Sequence, residues 1–265
     1  MRALFSVRAL FIVFSFIASF DPSSARAWGL EGHQIIAQVA ENRLTPEARR
    51  IVSQMLSGET LASVSNWADQ IRLNRPETRR WHFINFTEGG SGYVPERDCA
   101  TVLGEGDCIV AAIERAMRDM KRLDSSSIDA LKFLVHFVGD IHQPLHAIGT
   151  LRGATQLRVT FFGKRTNLHS VWDSDLIQRT GRMPAQYVAY LEKDWMPAKD
   201  LAGILGGTPV DWAFESVALG HDALVAQEAA LTDKYFETFS PIVDKQLTAA
   251  GVRLAAILNL SLIHI

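Results

Sequence analysis

Histidine and aspartate recur along this chain at the interval that puts two side chains on one face of a helix. His136 and Asp140 are four residues apart in its most strongly periodic segment, and His169 and Asp173 repeat the interval. One turn apart, each pair projects from the same side. His146 follows Pro144, where the chain leaves its helix and can turn toward a neighbouring ion. Asp69 and Arg72 are three apart in another helical pattern, and His82 lies in the compact run Trp81-His82-Phe83-Ile84-Asn85. Neutral imidazole and carboxylate are ordinary ligands of Zn²⁺, and a pair one turn apart can hold one ion. A single His-x-x-x-Asp pair is more commonly a surface ion pair or a satisfied core histidine. Asp140 weighs against that blander reading here. The other face of its helix is nearly all apolar, and burying a carboxylate without a partner is expensive.

The chain opens as an export signal does. Arg2 and Arg8 begin it, an apolar run follows from Ala9 to Phe20, and Ala25-Arg26-Ala27 offers small residues to a signal peptidase. The expectation is a signal peptide over 1–27 and a mature domain over 28–265, secreted or periplasmic. Cleavage makes Trp28 the first residue. A free α-amine titrates near ~7.7–8.0, so a metal displaces its proton at little cost near neutrality. Amine and carbonyl of Trp28 can close a five-membered chelate, and His33 is near enough in sequence to join it.

Composition limits the other possibilities. The chain has 265 residues, enough for one large domain with a substantial core. The leader carries three arginines and one aspartate, so its removal takes the net charge from −2 to −4. A mildly acidic protein has no broad electrostatic claim on nucleic acid or anionic lipid, so any affinity for phosphate must be local. After the leader, no apolar run approaches the ~20 residues that span a bilayer. Cys99 and Cys108 are the only cysteines, in a loop-like stretch. In an oxidising compartment they are expected to close a short disulfide contributing roughly 2–3 kcal/mol, the alternative being two unpaired thiols.

Helical patterns dominate the elements that must position these side chains. Thr45-Pro46-Glu47 starts a helix as cap and first turn, carrying the pattern Leu44 to Met55. Others are expected over 61–73, 109–123, from the Ser125-Ser126-Ser127 cap to a stop before Pro144, and over 168–180, 184–195, 211–230 and 235–259. Leu157 to Phe162 is the most strand-like piece, turning at Gly163-Lys164 toward Arg165-Thr166. The fold class that follows is mainly α, a single domain of packed helices with a small β-hairpin. His142 points away from Asp140 by helical geometry and reads as structural. His221 reads as core or surface, Trp195 and Trp212 read as packing, and the apolar tail Leu260–Ile265 with His264 has no physical account.

The motifs also have a recognisable order. Trp28-x4-His33, Trp67-Ala68-Asp69-x-x-Arg72, Trp81-His82-Phe83-Ile84-Asn85, the block from His136 to His146 and Thr166-Asn-Leu-His169-Ser-Val-Trp172-Asp173 resemble the S-one/P-one class of zinc-dependent nucleases, over residues 28 to about 178. The resemblance implies the zinc phospholipase C/nuclease-like fold and three Zn²⁺. One ion would be held by Asp69, His82, His136 and Asp140, and a second by His146, His169 and Asp173. The third would take the Trp28 amine and carbonyl, His33 and the other oxygen of Asp140. Three aspartates against three zinc ions leave a local charge of roughly +3, which supplies the attraction for phosphate.

The chemistry so implied is cleavage of the P–O3′ bond in single-stranded RNA and DNA, giving 5′-phosphorylated products, with removal of 3′-phosphates from mononucleotides. Two zinc ions about 3.5–4 Å apart lower the pKa of a shared water toward ~7. Asp69 would orient the resulting nucleophile and Arg72 clamp a phosphate oxygen; Arg72 as a partner holding Asp69 is the equal alternative. Phe83 is the candidate base-stacking platform, with a core role as its alternative, and Asn85 stands where relatives often carry Asp or Asn for the base edge. Arg152-Gly153-Ala154-Thr155 departs from a Gly-Gly-Asn element common in relatives, and Ser170 stands where relatives often have His. Competing readings are a zinc phospholipase C, whose first Trp and His are spaced more widely, and a non-catalytic zinc-binding protein. No protein partner is expected, and the protein is expected to be a monomer.

Overall fold

The computed structural model describes residues 28–86, 92–122, 124–198 and 203–262. The expected leader and His264 therefore lie outside the described residues.

The structure is mainly helical. The helix Ser125–Asp140 runs through the middle and begins at Asp124, whose carboxylate accepts from the Ser126 N–H while the Ser127 hydroxyl accepts from the Asp124 N–H. The cap is thus Asp124, one residue before the expected serines. Leu131, Leu134, Val135, Phe137 and Val138 of this helix pack with Ile109, Val110 and Ile113 into one apolar cluster, which also takes in Leu254 and Leu258. A second cluster gathers Trp28, Ile35, Ile36, Trp172, Leu176 and Leu247.

The helix Leu30–Glu41 was not expected from the sequence; it follows Gly29 with no side-chain cap. Its apolar side meets the long helix Asp233–Leu262, where a Cβ on Gly251 would fall 2.4 Å from Val39 Cγ1 and 3.0 Å from the Ile36 carbonyl oxygen. The two backbones touch there because only glycine leaves room. His33 sits on this helix, so the crossing fixes its height against the Ser125–Asp140 helix.

Several expected helices are shorter or broken. The stretch 61–73 divides into Leu61–Val64 and Trp67–Ile71. Between them the Ser65 hydroxyl bonds to the Ala62 carbonyl, leaving the Ser65 carbonyl to accept from His136 Nδ1 at 2.7 Å. The stretch 168–180 contains a π-helical turn, Val171–Asp175, and 184–195 ends in another, Leu191–Trp195. The helix expected to continue to 230 is Pro209–Ala223 and stops there. Residues Ala229–Leu231 instead form a third strand, β3. With β1 (Arg158–Phe161) and β2 (Lys164–Asn167) it makes a sheet ordered β2-β1-β3, β2 antiparallel and β3 parallel to β1. The hairpin was expected; β3 was not. The last helix runs on through Leu262, past the expected end at 259.

Candidate metal centre

The candidate ligands converge where the two apolar clusters meet. His136 and Asp140 come from the last turn of the central helix, His33 from Leu30–Glu41, Asp69 from Trp67–Ile71 and His82 from the end of a 3-10 segment, Pro76–His82. Asp140 is fully buried and uses both oxygens. Oδ1 is 3.2 Å from His33 Nε2, and Oδ2 is 3.0 Å from His82 Nδ1 and 3.2 Å from His136 Nε2. Asp69 Oδ1 completes the group at 3.7 Å from His82 Nδ1 and 3.9 Å from His136 Nε2, with 18% of its side chain exposed. His146, His169 and Asp173 form a second group, His169 Nε2 lying 3.4 Å and His146 Nε2 3.9 Å from an Asp173 oxygen. Three sets of side chains can each hold a metal ion: His33, His136 and Asp140; Asp69, His82 and His136; His146, His169 and Asp173.

Tautomers give a stricter test of fit. A carbonyl can only accept, so each ring nitrogen facing one must carry the proton. His146 Nδ1 donates to the His82 carbonyl at 2.8 Å and His169 Nδ1 to the Gly153 carbonyl at 2.5 Å. In the neutral rings, both Nε2 lone pairs then point inward, 3.1 Å apart, beside the Asp173 carboxyl group. Facing lone pairs repel unless a proton or a cation stands between them. In the first group, His33 Nε2 and Asp140 Oδ1 are buried and close, yet neither makes a well-aligned hydrogen bond. Both features fit a multivalent cation, and carbonyl-anchored imidazoles are the usual outer partners of metal ligands.

Gln143 belongs to this support. Its Nε2 donates to Asp173 Oδ1 at 2.5 Å, and its Oε1 accepts from the Leu145 N–H at 2.6 Å. The amide is buried and satisfied at both ends, so it fixes the rotamer of Asp173. Sequence reasoning passed over it, although it lies inside the His136–His146 block. Gln143→Ala is expected to weaken metal binding at the His146 group about 10–100-fold, the usual scale for outer partners. Calorimetric titration checks this; an unchanged isotherm contradicts it.

Burial and mutual charge set the protonation of these side chains. Burial pulls His136 down, but the Asp140 charge and hydrogen bond outweigh it and raise the ring to about 9. Asp140 in turn is held well below the carboxylate range, because His136 and its other histidine partners outweigh burial. Burial dominates elsewhere, taking His82 to about 4, lowering His33 and His146, and raising Asp173 well above its ordinary value. A metal that takes His136 as a ligand therefore displaces its proton near neutral pH. His82, at about 4, has no proton to give near neutrality. Zinc affinity at a site that uses His136 is expected to rise as pH climbs from 7 toward 9, because His136 gives up its proton on binding. Competition with a chromophoric chelator measures it, and a flat profile over that range contradicts the protonation state.

Phe83 and Asn85, the residues assigned to substrate, adjoin His82 and are more exposed than it. Phe83 is extended, at φ −154° and ψ 168°, so it and Asn85 share one side of the strand-like segment while Ile84 enters the core. The Ile84 N–H bonds to the His146 carbonyl at 2.9 Å, which ties this segment to the second ligand group. Phe83 is half-buried with the Arg80 guanidinium 5.9 Å over its ring, and Asn85 is exposed. The Arg72 charge depresses His146, which puts it within electrostatic reach of that group. Trp28 is fully buried, the Gly29 N–H bonding to the Asp173 carbonyl at 2.7 Å. Cys99 and Cys108 are joined as a disulfide.

His142 does point away from the ligands. Its Nδ1 donates to the Val138 carbonyl at 2.7 Å and its Nε2 accepts from Arg253 at 2.8 Å; burial and the guanidinium hold it neutral, at about 3. His221 is exposed and Trp212 is buried.

Histidines and aspartates from separate segments thus gather into neighbouring groups that could hold metal ions, an arrangement suited to a hydrolase. The family model described as S1/P1 Nuclease matches residues 28–262, and the chain belongs to that family. It is similar to Endonuclease 2 of Arabidopsis thaliana, at 31% identity over 88% of this chain and 89% of that one. It is also similar to Nuclease P1 of Penicillium citrinum, at 28% identity over 88% and 97%, and to Nuclease S1 of Aspergillus oryzae, at 26% over 88% and 91%. The protein is a hydrolase of phosphodiester bonds, a nuclease acting on nucleic acid. Among the described residues, no helix is long and apolar enough to cross a membrane.

Proposed function

We propose that the chain matures by export and cleavage after Ala27 into a monomeric zinc-dependent nuclease. It cuts single-stranded RNA and DNA to 5′-phosphorylated products and removes 3′-phosphates from mononucleotides. The observation that carries this reading is the convergence of the His146 and His169 lone pairs on Asp173 beside the doubly shared Asp140. Three zinc ions would be held by the sets assigned from the sequence, with the Trp28 amine and carbonyl completing the third. When bound, they supply Lewis acidity toward phosphate oxygens and make water nucleophilic near neutral pH.

The chain's own groups do the remaining work. Asp69 keeps a partly exposed carboxylate at the edge of the cluster, placed to orient the attacking water and accept its hydrogen bond. Arg72 donates to a non-bridging phosphate oxygen, opposing the charge that grows there in the transition state. A phosphate within a duplex cannot reach ligands this deeply buried, whereas an unpaired strand can splay a base onto Phe83 and offer its edge to Asn85. Parallel assays on single-stranded nucleic acid, a 3′-mononucleotide and phosphatidylcholine, with zinc and with chelator, test the reading. Zinc-dependent turnover of the first two supports it. Turnover of the lipid alone points to a phospholipase, and zinc binding without turnover of any substrate points to a non-catalytic zinc protein.

A further inference from the structure

Residues Leu151, Arg152, Gly153 and Ala154 all have positive φ, at 47°, 56°, 64° and 61°. The chain makes a turn of left-handed helix, closed by the Ala154 N–H on the Thr150 carbonyl at 2.9 Å and the Gln156 N–H on the Leu151 carbonyl at 3.3 Å. Each Cβ in such a turn crowds the following carbonyl, so three non-glycine residues here carry strain. Strain of this kind persists where the surroundings impose it and collects at ligand sites.

Gly153 shows what imposes it. Its carbonyl accepts from His169 Nδ1, and a Cβ there would lie 2.7 Å from the Leu145 carbonyl oxygen. The turn thus aims a candidate ligand and must pass close to the 144–146 segment. Arg152 is different. It is exposed, and among the described residues its side chain makes no hydrogen bond or ion pair. Glycine would occupy its φ without strain, so the packing gives no reason for arginine. Position does: Arg152 adjoins the residue that holds His169, and the turn departs from Gly149, which lies against Asn85. Arg152 is thus an exposed cation on a turn anchored at one end against Asn85 and at the other on His169, in a chain whose net charge is −2.

We propose that Arg152 binds a backbone phosphate of the substrate strand next to the one at the metal centre, favouring polymers over mononucleotides. This rests on the nuclease reading above. Three variants separate charge from strain: Arg152→Lys keeps both, Arg152→Gln keeps the strain alone, and Arg152→Gly removes both. For a single-stranded polymer, the plot of log(kcat/KM) against log salt is expected to flatten by about 0.7 in the Gln and Gly variants, the value of one phosphate contact on a single strand. Lysine should keep the wild-type slope. The loss should fall on KM and lower the preference for polymer over 3′-mononucleotide several-fold. Arg152→Gly alone should melt at a higher temperature than the wild type, so binding and stability move in opposite directions. Wild-type slopes and KM values in both uncharged variants overturn the proposal while leaving the nuclease reading intact. A wild-type protein that cleaves no nucleic acid with zinc overturns both.

Discussion

Replacing Asp140 with alanine is expected to release more than one metal ion per molecule and to lower turnover about a thousandfold, roughly 4 kcal/mol of transition-state stabilisation. The reason is geometric. Both oxygens of this buried carboxylate are engaged, one toward His33 and the other toward His82 and His136. Removing it takes a ligand from two candidate sites at once. It also removes the charge that raises the pKa of His136. Elemental analysis of the purified variant, with circular dichroism to verify folding, reads the effect. Loss of a single ion would contradict a shared carboxylate.

A chain that retains even one residue before Trp28 is expected to bind one metal ion fewer and to lose most of its turnover. Trp28 is sealed in the second apolar cluster, the Gly29 N–H is tied to Asp173, and Gly32 packs on the Trp28 Cβ. Trp28 is therefore pinned between His33 and the second ligand group. A peptide bond at Trp28 turns its basic amine into an amide nitrogen, which has no lone pair free for a metal. The defect should be confined to the ion shared with His33, leaving the affinity of the His146 group intact. Equal metal content and rate in extended and trimmed proteins would rule the chelate out.

How much of this was legible beforehand depends on which physics set each element. The pair His136 and Asp140 could be read because an ordinary α-helix carries them and its apolar face is strongly periodic. His169 and Asp173 were found by the same interval, but a short α-helical turn, Leu168–Ser170, carries His169 and the π-helical turn Val171–Asp175 carries Asp173. Local periodicity does not reveal such a turn, although it is common at functional sites. The helix Leu30–Glu41 was missed because Gly29 gives no capping signal and His33 and Gln34 interrupt its pattern. Its position comes from a tertiary contact, the crossing at Gly251. Strand β3 is only Ala229–Leu231, too short to alternate, and pairs with β1 from far along the chain. Gln143 and the carbonyls of Ser65, His82 and Gly153 are partners of the candidate ligands that only three-dimensional proximity reveals. The left-handed turn at 151–154 contains one glycine among four residues, so composition argued against it.

Elemental analysis of the protein trimmed to Trp28, paired with a turnover assay on single-stranded nucleic acid, tests the centre most directly. The account predicts about three zinc ions per chain and activity abolished by chelation and restored by zinc. It also predicts a melting temperature several degrees lower without metal, since an ion bound only to the native state adds to stability. Pure protein that cleaves nucleic acid at full rate while holding no transition metal would contradict it.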